Sequence, residues 1–273
     1  MSPAATAPVT ALKQIVSAGA LLRLPMRRLG HALVLALALA VATFAASAHA
    51  DPLASACTKT YLPQTLDVTQ PINLDQLKAQ LYFYACSGAY DSDVAKVTAD
   101  AQAYVEKRAA EVSRPALVLD IDETALTNLP EMLANDFGYI KDGSCDSLPK
   151  GPCGFDKWVG QARAKAVPGT LALFNAAKSH HVAVFFITGR HEGARATTIK
   201  NLQAAGYDGW AGLLLRPDQA DNKTVAGYKS GERGKIAAQG YTIIVNVGDQ
   251  QSDLDGGYAE RAFKLPDPFY YIP

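Results

Sequence analysis

Charge is scarce in this chain and favours neither sign: 26 basic and 26 acidic residues among 273, 19% of the total, with no basic block. A large electrostatic footprint for nucleic acid is therefore missing, and nucleic acid is not an expected partner. Long apolar runs are lacking too. The one sustained stretch, Ala32 to Ala46 interrupted by Thr43, falls short of the ~20 residues a membrane-spanning helix needs, and small residues rather than a stop-transfer cluster follow it. No stable membrane anchor is expected. Internal repeats and low-complexity tracts are absent outside that stretch, and a composition with 49% hydrophobic residues excludes disordered, collagen-like and coiled-coil chains. What remains is a globular chain able to bury a substantial core, as one large domain or two small ones.

The first fifty residues stand apart. They carry Lys13, Arg23, Arg27 and Arg28 and no acid, so the rest of the chain holds 22 basic residues against 26 acidic ones and is mildly acidic, net −4. Arg27-Arg28, the apolar run and Ala48-His49-Ala50 follow the order of a signal peptide: charged n-region, apolar h-region, A-x-A cleavage site. Cleavage after Ala50 and export, to the periplasm or the medium, are the expectation. Met26 is a candidate translation start, which would make residues 1–25 an untranslated extension. All four cysteines, Cys57, Cys86, Cys145 and Cys153, lie beyond the cleavage site, and an even count in an exported chain favours disulfides. Of three pairings, sequence proximity favours Cys57 with Cys86 and Cys145 with Cys153; buried free thiols are the alternative in a chain of this size. Lipidation of Cys57 is disfavoured, because it lies well past the apolar run and no large aliphatic residue stands three positions before it.

Residues 51–72, with Pro52, Pro63 and Pro71, read as an irregular arm. Asn73 can cap a helix in which Leu74, Leu77, Leu81 and Tyr84 recur at helical spacing up to Ala85, and a second helix is predicted from about Ser92 to Val112. After Pro115, short apolar runs alternate with amphipathic helices, the pattern of a parallel sheet with crossover helices. Strands are predicted over Ala116 to Leu119, Val182 to Ile187, Gly212 to Leu215, Thr242 to Val247 and Ala262 to Leu265. Helices are predicted over Gly169 to Ser179, Glu192 to Ala205 and Ser230 to Gln239. The segment 125–167 breaks this rhythm with Gly138, Gly143, Pro149, Gly151, Pro152, Gly154, two cysteines and Trp158. It reads as a small cap inserted after strand one, rooted where open α/β sheets bind ligands. The expected fold is α/β: an open, Rossmann-like parallel sheet over 115–273, with a cap at about 125–167 and an N-terminal helical extension over 51–114.

The strong polar clusters fall where a predicted strand ends or a helix opens. Strand one runs into Leu119-Asp120-Ile121-Asp122-Glu123-Thr124, the second into Thr188-Gly189-Arg190, the fourth into Gly248-Asp249-Gln250-Gln251-Ser252-Asp253, and Tyr228-Lys229-Ser230 begins a helix. Taken singly these are ordinary, since a strand-end carboxylate often caps a helix, Thr-Gly-Arg can be a turn and a Lys at a helix start is usually solvated. Taken in series they describe a site, because two acids at the end of a buried strand are costly without a compensating cation.

At these residues the sequence resembles the haloacid dehalogenase superfamily, and within it the exported acid phosphatases of subfamily IIIB, a branch that includes the plant vegetative storage proteins and is similar to the class B and class C acid phosphatases. Val118-Leu119-Asp120-Ile121-Asp122-Glu123-Thr124-Ala125-Leu126 looks like the first motif of that family and Phe185-Phe186-Ile187-Thr188-Gly189-Arg190 like the second. Tyr228-Lys229-Ser230 with Arg233 looks like the third, and Gly248-Asp249-Gln250-Gln251-Ser252-Asp253-Leu254 like the fourth. The resemblance covers roughly residues 60–270. Gln251 departs from it, standing where many relatives carry an aromatic residue, and the cap around Cys145 to Cys153 matches least well, which leaves substrate choice open.

The resemblance implies a Mg²⁺-dependent phosphomonoesterase working best at acid pH on small phosphate esters, nucleotides among the candidates. In-line attack on such an ester needs a positioned nucleophile, neutralised phosphoryl oxygens and a proton for the leaving alkoxide. Asp120 is the expected nucleophile, forming an aspartyl-phosphate. Asp122 is expected to protonate the leaving group and later to deprotonate water. Asp120, the backbone carbonyl of Asp122, and Asp249 would supply three of the about six oxygen ligands of Mg²⁺, and Asp253 would orient a bound water or cap a helix. Thr188 and the amides beside it at Gly189 would bind a phosphoryl oxygen, and Lys229 would hold phosphate and nucleophile together. Arg190 and Arg233 are candidate cations that either touch substrate or support the residues that do, with surface salt bridges as the alternative. Glu123 reads as a charged member of the motif turn or a salt-bridge partner, His180 and His181 as loop residues and Asp255 as surface. A dehalogenase would need neither metal nor Asp122. A catalytically weak storage or phosphate-ester-binding protein of the same fold is the alternative, since plant relatives lose the nucleophile; Asp120 argues against it.

Overall fold

A computed structural model of the chain describes residues 56–57, 69, 71–219 and 224–273. The expected leader and its cleavage site lie outside the described residues, as does most of the arm. Two helices come first, α1 (Leu74–Cys86) and α2 (Ala89–Arg108). Asn73 caps α1, its side chain accepting from the N–H groups of Asp75 and Gln76. Gly88, at φ 84°, makes the turn between the helices, a left-handed conformation that a side chain would strain. The second helix begins three residues earlier than Ser92, because Tyr90 extends its buried stripe of Val94, Ala101 and Val105.

β1 (Pro115–Leu119) follows. Its Leu117 and Leu119 enter one apolar layer, and Ala116 and Val118 the other, as the period of two requires of a strand covered on both faces. Each leucine buried there contributes about 1.5–3 kcal/mol, which fixes the strand and whatever its end carries. The chain then leaves the sheet. β2 (Leu126–Thr127) and β3 (Lys165–Ala166) pair antiparallel and bracket two short helices, α3 (Leu129–Ala134) and α4 (Phe155–Gln161).

The rest alternates strictly: α5 (Pro168–Ser179), β4 (Ala183–His191), α6 (Arg195–Ala204), β5 (Gly212–Arg216), α7 (Val225–Ala238), β6 (Thr242–Gly248), α8 (Gln251–Leu254) and β7 (Arg261–Lys264). The five long strands form a parallel sheet in the order β5-β4-β1-β6-β7. Helix α2 packs on α5, and α7 packs against β4 and β6. From β1 the chain moves outward through β4 and β5 and then returns to the other side with β6, so the order reverses beside β1. In an open parallel sheet that reversal opens a crevice at the strands' carboxyl ends.

Two of the boundaries that differ from the sequence reading bear on the polar clusters. β4 continues past Ile187 through Thr188-Gly189-Arg190 to His191, with an irregular register against β5, so Thr188 lies in a strand and not in a strand-to-helix turn. Helix α7 starts at Val225 instead of Ser230, because Thr224 caps it by accepting from the Gly227 N–H at 3.1 Å. Both disulfides join the cysteines nearest in sequence, Cys57 with Cys86 and Cys145 with Cys153. Among the described residues no helix is long and apolar enough to cross a membrane.

Candidate active site

The ends of β1 and β6 bring the acidic motif residues together. The Asp120 N–H donates to the Val247 carbonyl at 3.0 Å, which extends the sheet ladder by one residue and holds Asp120 in place. Its carboxylate is buried and accepts from the Lys229 ammonium, which also donates to Asp253 at 2.5 Å. Carboxylate oxygens of Asp120, Asp249 and Asp253 all lie within 4.8 Å of one another. Three buried acids thus face one ammonium. Burial, opposed by Lys229 and reinforced by Asp253, Asp249 and Asp122, pushes the Asp120 carboxyl well above the usual range. Burial with Asp253 and Asp267 does the same to Asp249. Burial alone would lower the Lys229 ammonium, but Asp120 and Asp253 outweigh it and raise it. A buried, all-oxygen set short of positive charge suits a hard divalent cation.

Asp122 faces elsewhere. Its carboxylate accepts from Arg190, at 2.6 Å from Nη2 and 3.1 and 3.0 Å from Nε, and from Asn128 Nδ2 at 2.9 Å. Burial pushes this carboxyl up, but the Arg190 charge and hydrogen bonds and the Asn128 amide prevail and hold it below the usual range. At rest, then, Asp122 is an ionised partner of Arg190, where the sequence reading needs a carboxyl that carries a proton. Arg190 lines the cleft next to Gly189, while the Thr188 hydroxyl accepts from the Arg190 N–H at 3.1 Å beneath them.

One expectation needs correction and two alternatives are narrowed. Glu123 pairs with no cation: at φ 53° the turn directs it inward, where it is fully buried and accepts from the Asn128 N–H and, at 2.8 Å, from Asn128 Nδ2. Burial, with Asp267 adding, pushes its carboxyl well up, so it is a buried structural acid and not a solvated charge of the turn. Of the roles open to Arg233, the structure shows the supporting one, behind Asp253, and not a surface ion pair. Arg233 donates to the Asp253 carbonyl at 2.6 Å, the Gly257 carbonyl at 2.9 Å and the Asp255 carbonyl, stapling the loop after β6. Asp253 takes the helix-capping role, its Oδ2 accepting from the Gln250 N–H at 2.9 Å, while its Oδ1 accepts from Lys229. At Gly248 a Cβ would stand 2.3 Å from that of Asp253, so the close approach requires glycine. His180 and His181 end α5 away from the cleft, and the Asp255 side chain is exposed.

Several residues that support the site carry no motif. Asn128 joins Asp122 to Glu123 and accepts from Trp158 Nε1 at 2.8 Å; its place before Leu129-Pro130, as a helix start, was the one signal available. Asp249 Oδ1 accepts from the Thr124 hydroxyl at 2.9 Å, and Oδ2 from the Tyr270 hydroxyl at 2.8 Å and Gln250 Nε2 at 2.9 Å. Gln250 Nε2 also donates to Asp267 at 2.6 Å. No sequence signal links Tyr270 or Asp267 to Asp249, because the contact forms only when the last residues fold back over β6. Above this floor opens a cleft of about 970 Å³, walled by the segment between β2 and β3 and by residues 269–272, with Phe137, Tyr139, Phe155 and Phe269 among its lining.

Residues 43–273 match the family model described as HAD superfamily, subfamily IIIB (Acid phosphatase). The chain is 34% identical over 191 residues to Acid phosphatase 1 of Solanum lycopersicum, covering 69% of this chain and 72% of that protein. It is 37% identical over 179 residues to the Stem 28 kDa glycoprotein of Glycine max, covering 64% and 67%. Among solved structures, the class C acid phosphatase from Bacillus anthracis is similar with a TM-score of 0.57 and 24% identity, over 72% of this chain and 86% of that one; this is a likeness of fold.

Proposed function

The chain belongs to subfamily IIIB of the HAD superfamily, the acid phosphatases, and from that premise we propose that it is an exported, Mg²⁺-dependent enzyme hydrolysing small phosphomonoesters through an aspartyl-phosphate on Asp120. One observation carries the reading: a buried nucleophile-grade carboxylate, Asp120, paired with Lys229 and grouped with Asp249 and Asp253 at the point where the strand order reverses.

Asp120 attacks phosphorus in line, its Oδ–P bond forming as the ester P–O bond breaks. Lys229 spreads positive charge over nucleophile and phosphoryl group, and the Gly189 and Arg190 segment meets the remaining oxygens. An arriving phosphate competes with Asp122 for Arg190, and its charge favours the protonated carboxyl, so substrate binding itself readies the proton carrier. Asp122 then gives its proton to the leaving alkoxide and takes one back from the water that cleaves the aspartyl-phosphate. Asp120, Asp249 and Asp253, with the Asp122 carbonyl, would hold Mg²⁺, which when bound neutralises charge on the phosphoryl oxygens.

Asp120→Asn should lower p-nitrophenyl phosphate turnover by several orders of magnitude, and EDTA should abolish the wild-type activity until Mg²⁺ is restored. Wild-type turnover by Asp120→Asn, in material freed of host phosphatases, contradicts the mechanism, and no turnover by wild type itself favours a binding protein. The n-region, apolar run and A-x-A site together with two disulfides support export with cleavage after Ala50. Intact-mass analysis of the exported protein should find Asp51 first; retention of residues 27–50 contradicts it.

A further inference from the structure

Glu131 sits on α3, in the wall of the cleft, and is only 3% exposed. One carboxylate oxygen accepts from Asn135 Nδ2 at 2.6 Å; among the described residues no hydrogen bond reaches the other. Asn135 is itself clamped to the disulfide-closed loop, accepting from the Cys153 N–H at 2.8 Å and donating to the Cys153 carbonyl at 2.7 Å. The loop presses on α3 closely enough that a Cβ at Gly151 would lie 2.2 Å from the Ala134 carbonyl oxygen. The acid is therefore fixed from behind, with one acceptor facing the cleft.

Its surroundings make that acceptor informative. Every Lys and Arg lining the cleft already has a carboxylate: Arg190 has Asp122, Lys229 has Asp120 and Asp253, and Lys141 has Asp156 at 2.7 Å and Asp142 at 3.3 Å. Glu123, the other cleft acid without a cation, has both oxygens filled by Asn128. A buried carboxylate left with an open acceptor is costly unless a ligand supplies the donor. Phe137, Tyr139 and Phe155, from the same segment, line the cleft as well, and aromatic faces attract ammonium groups.

We propose that Glu131 sets the charge preference at the leaving-group end of the cleft, selecting phosphomonoesters whose alcohol carries an ammonium or similar hydrogen-bond-donating group over those whose alcohol carries a second anion. The inference rests on the phosphomonoesterase reading and extends it to a substrate class. A free oxygen accepts the donor, the aromatic wall encloses it, and a second phosphate or carboxylate there would meet Glu131 and Asp122 with no unpaired Lys or Arg to receive it.

The test compares ethanolamine phosphate with n-propyl phosphate, in which a methyl replaces the ammonium, and with 3-phosphoglycerate, using the whole processed chain with Mg²⁺. The comparison is made at pH 8, because burial, opposed by Asn135 and aided by Asp122, pushes the Glu131 carboxyl up to about 7. Wild type should favour ethanolamine phosphate over its uncharged isostere by about tenfold or more in kcat/KM, the range of a hydrogen bond to a charged group. In Glu131→Gln that ratio should collapse toward one, whatever the absolute rates, and in Glu131→Lys the preference should pass to 3-phosphoglycerate. Equal kcat/KM for the isosteric pair in wild type overturns the proposal without any variant having to fold, as does a ratio that survives Glu131→Gln. Failure of wild type to turn over p-nitrophenyl phosphate is a separate outcome: it removes the phosphatase reading and this inference with it.

Discussion

Replacing Lys229 by Met keeps most of the stem and removes the one ammonium shared by Asp120 and Asp253. Breaking a buried ion pair from one side costs about 3–5 kcal/mol, because the partner charge stays behind without compensation. In a domain of this size each kcal/mol moves Tm by about 2–4 °C, so the metal-free variant should melt at least about 6 °C lower near neutral pH. The cost depends on pH with a defined sign. Asp120 and Asp249 have folded values raised by burial, so the stability they contribute is full below their unfolded values, near 4, and is lost as pH rises through the folded ones. Lys229, raised by its acids, contributes stability that persists until pH passes its unfolded value, near 10.4, and is lost as pH rises through the folded one. Between these limits the lysine offsets carboxylates that would otherwise be ionised alone. The Tm gap between wild type and Lys229→Met should therefore be widest at pH 7–8, shrink toward pH 4, and narrow at pH 7–8 when Mg²⁺ supplies positive charge. Circular dichroism melts in EDTA across pH 4–8 read it directly. A gap that is flat across this range, or none at pH 8, would refute the account of Lys229 as the counter-charge of the buried acids.

Asp122→Asn should reduce kcat by about 10²–10⁴ on alkyl phosphates and by much less on p-nitrophenyl phosphate, whose leaving group needs little protonation; equal losses on both would assign Asp122 another task. Tyr270→Phe takes the hydroxyl from Asp249 Oδ2 and should weaken Mg²⁺ binding by about 10–100-fold. Isothermal titration calorimetry measures that without turnover, and an unaltered affinity would show that the last residues of the chain do not position the metal ligand.

The cluster of Asp120, Asp249 and Lys229 was readable in the sequence because each residue comes with a local signal: Asp120 at the end of an apolar strand, Asp249 likewise, Lys229 in a helix opening. What was hidden depends on partners far along the chain. Arg190 meets Asp122 across 68 residues, and the sequence gives no reason to prefer that pair over contact with phosphate. Glu123 was misread because a charged residue in a turn is ordinarily solvated; only packing reveals an acid buried against Asn128. Which of its open roles Arg233 takes was hidden for the converse reason, its partners being backbone carbonyls, which no side-chain pattern announces. The sheet was legible from its buried runs, while the ends of β4 and α7 were not, since Thr188-Gly189-Arg190 has the composition of a turn and Val225-Ala226-Gly227 that of a weak helix start.

Gly248 and the cleft walls belong to parts of the molecule with opposite tolerance for change. Where a single added carbon would collide with Asp253, and where Arg233 staples three carbonyls, almost any replacement disturbs the phosphoryl chemistry. The walls are borrowed from the segment between β2 and β3 and from residues 269–272, outside the parallel sheet. Apart from Tyr270 and Asn128, which hold Asp249 and Asp122, side chains there can change without touching the acidic cluster. A laboratory library confined to cleft-lining positions such as Met132, Tyr139, Phe155 and Tyr271 should yield altered alcohol preference at high frequency, while the same effort spent on Gly248 and Arg233 yields inactive protein.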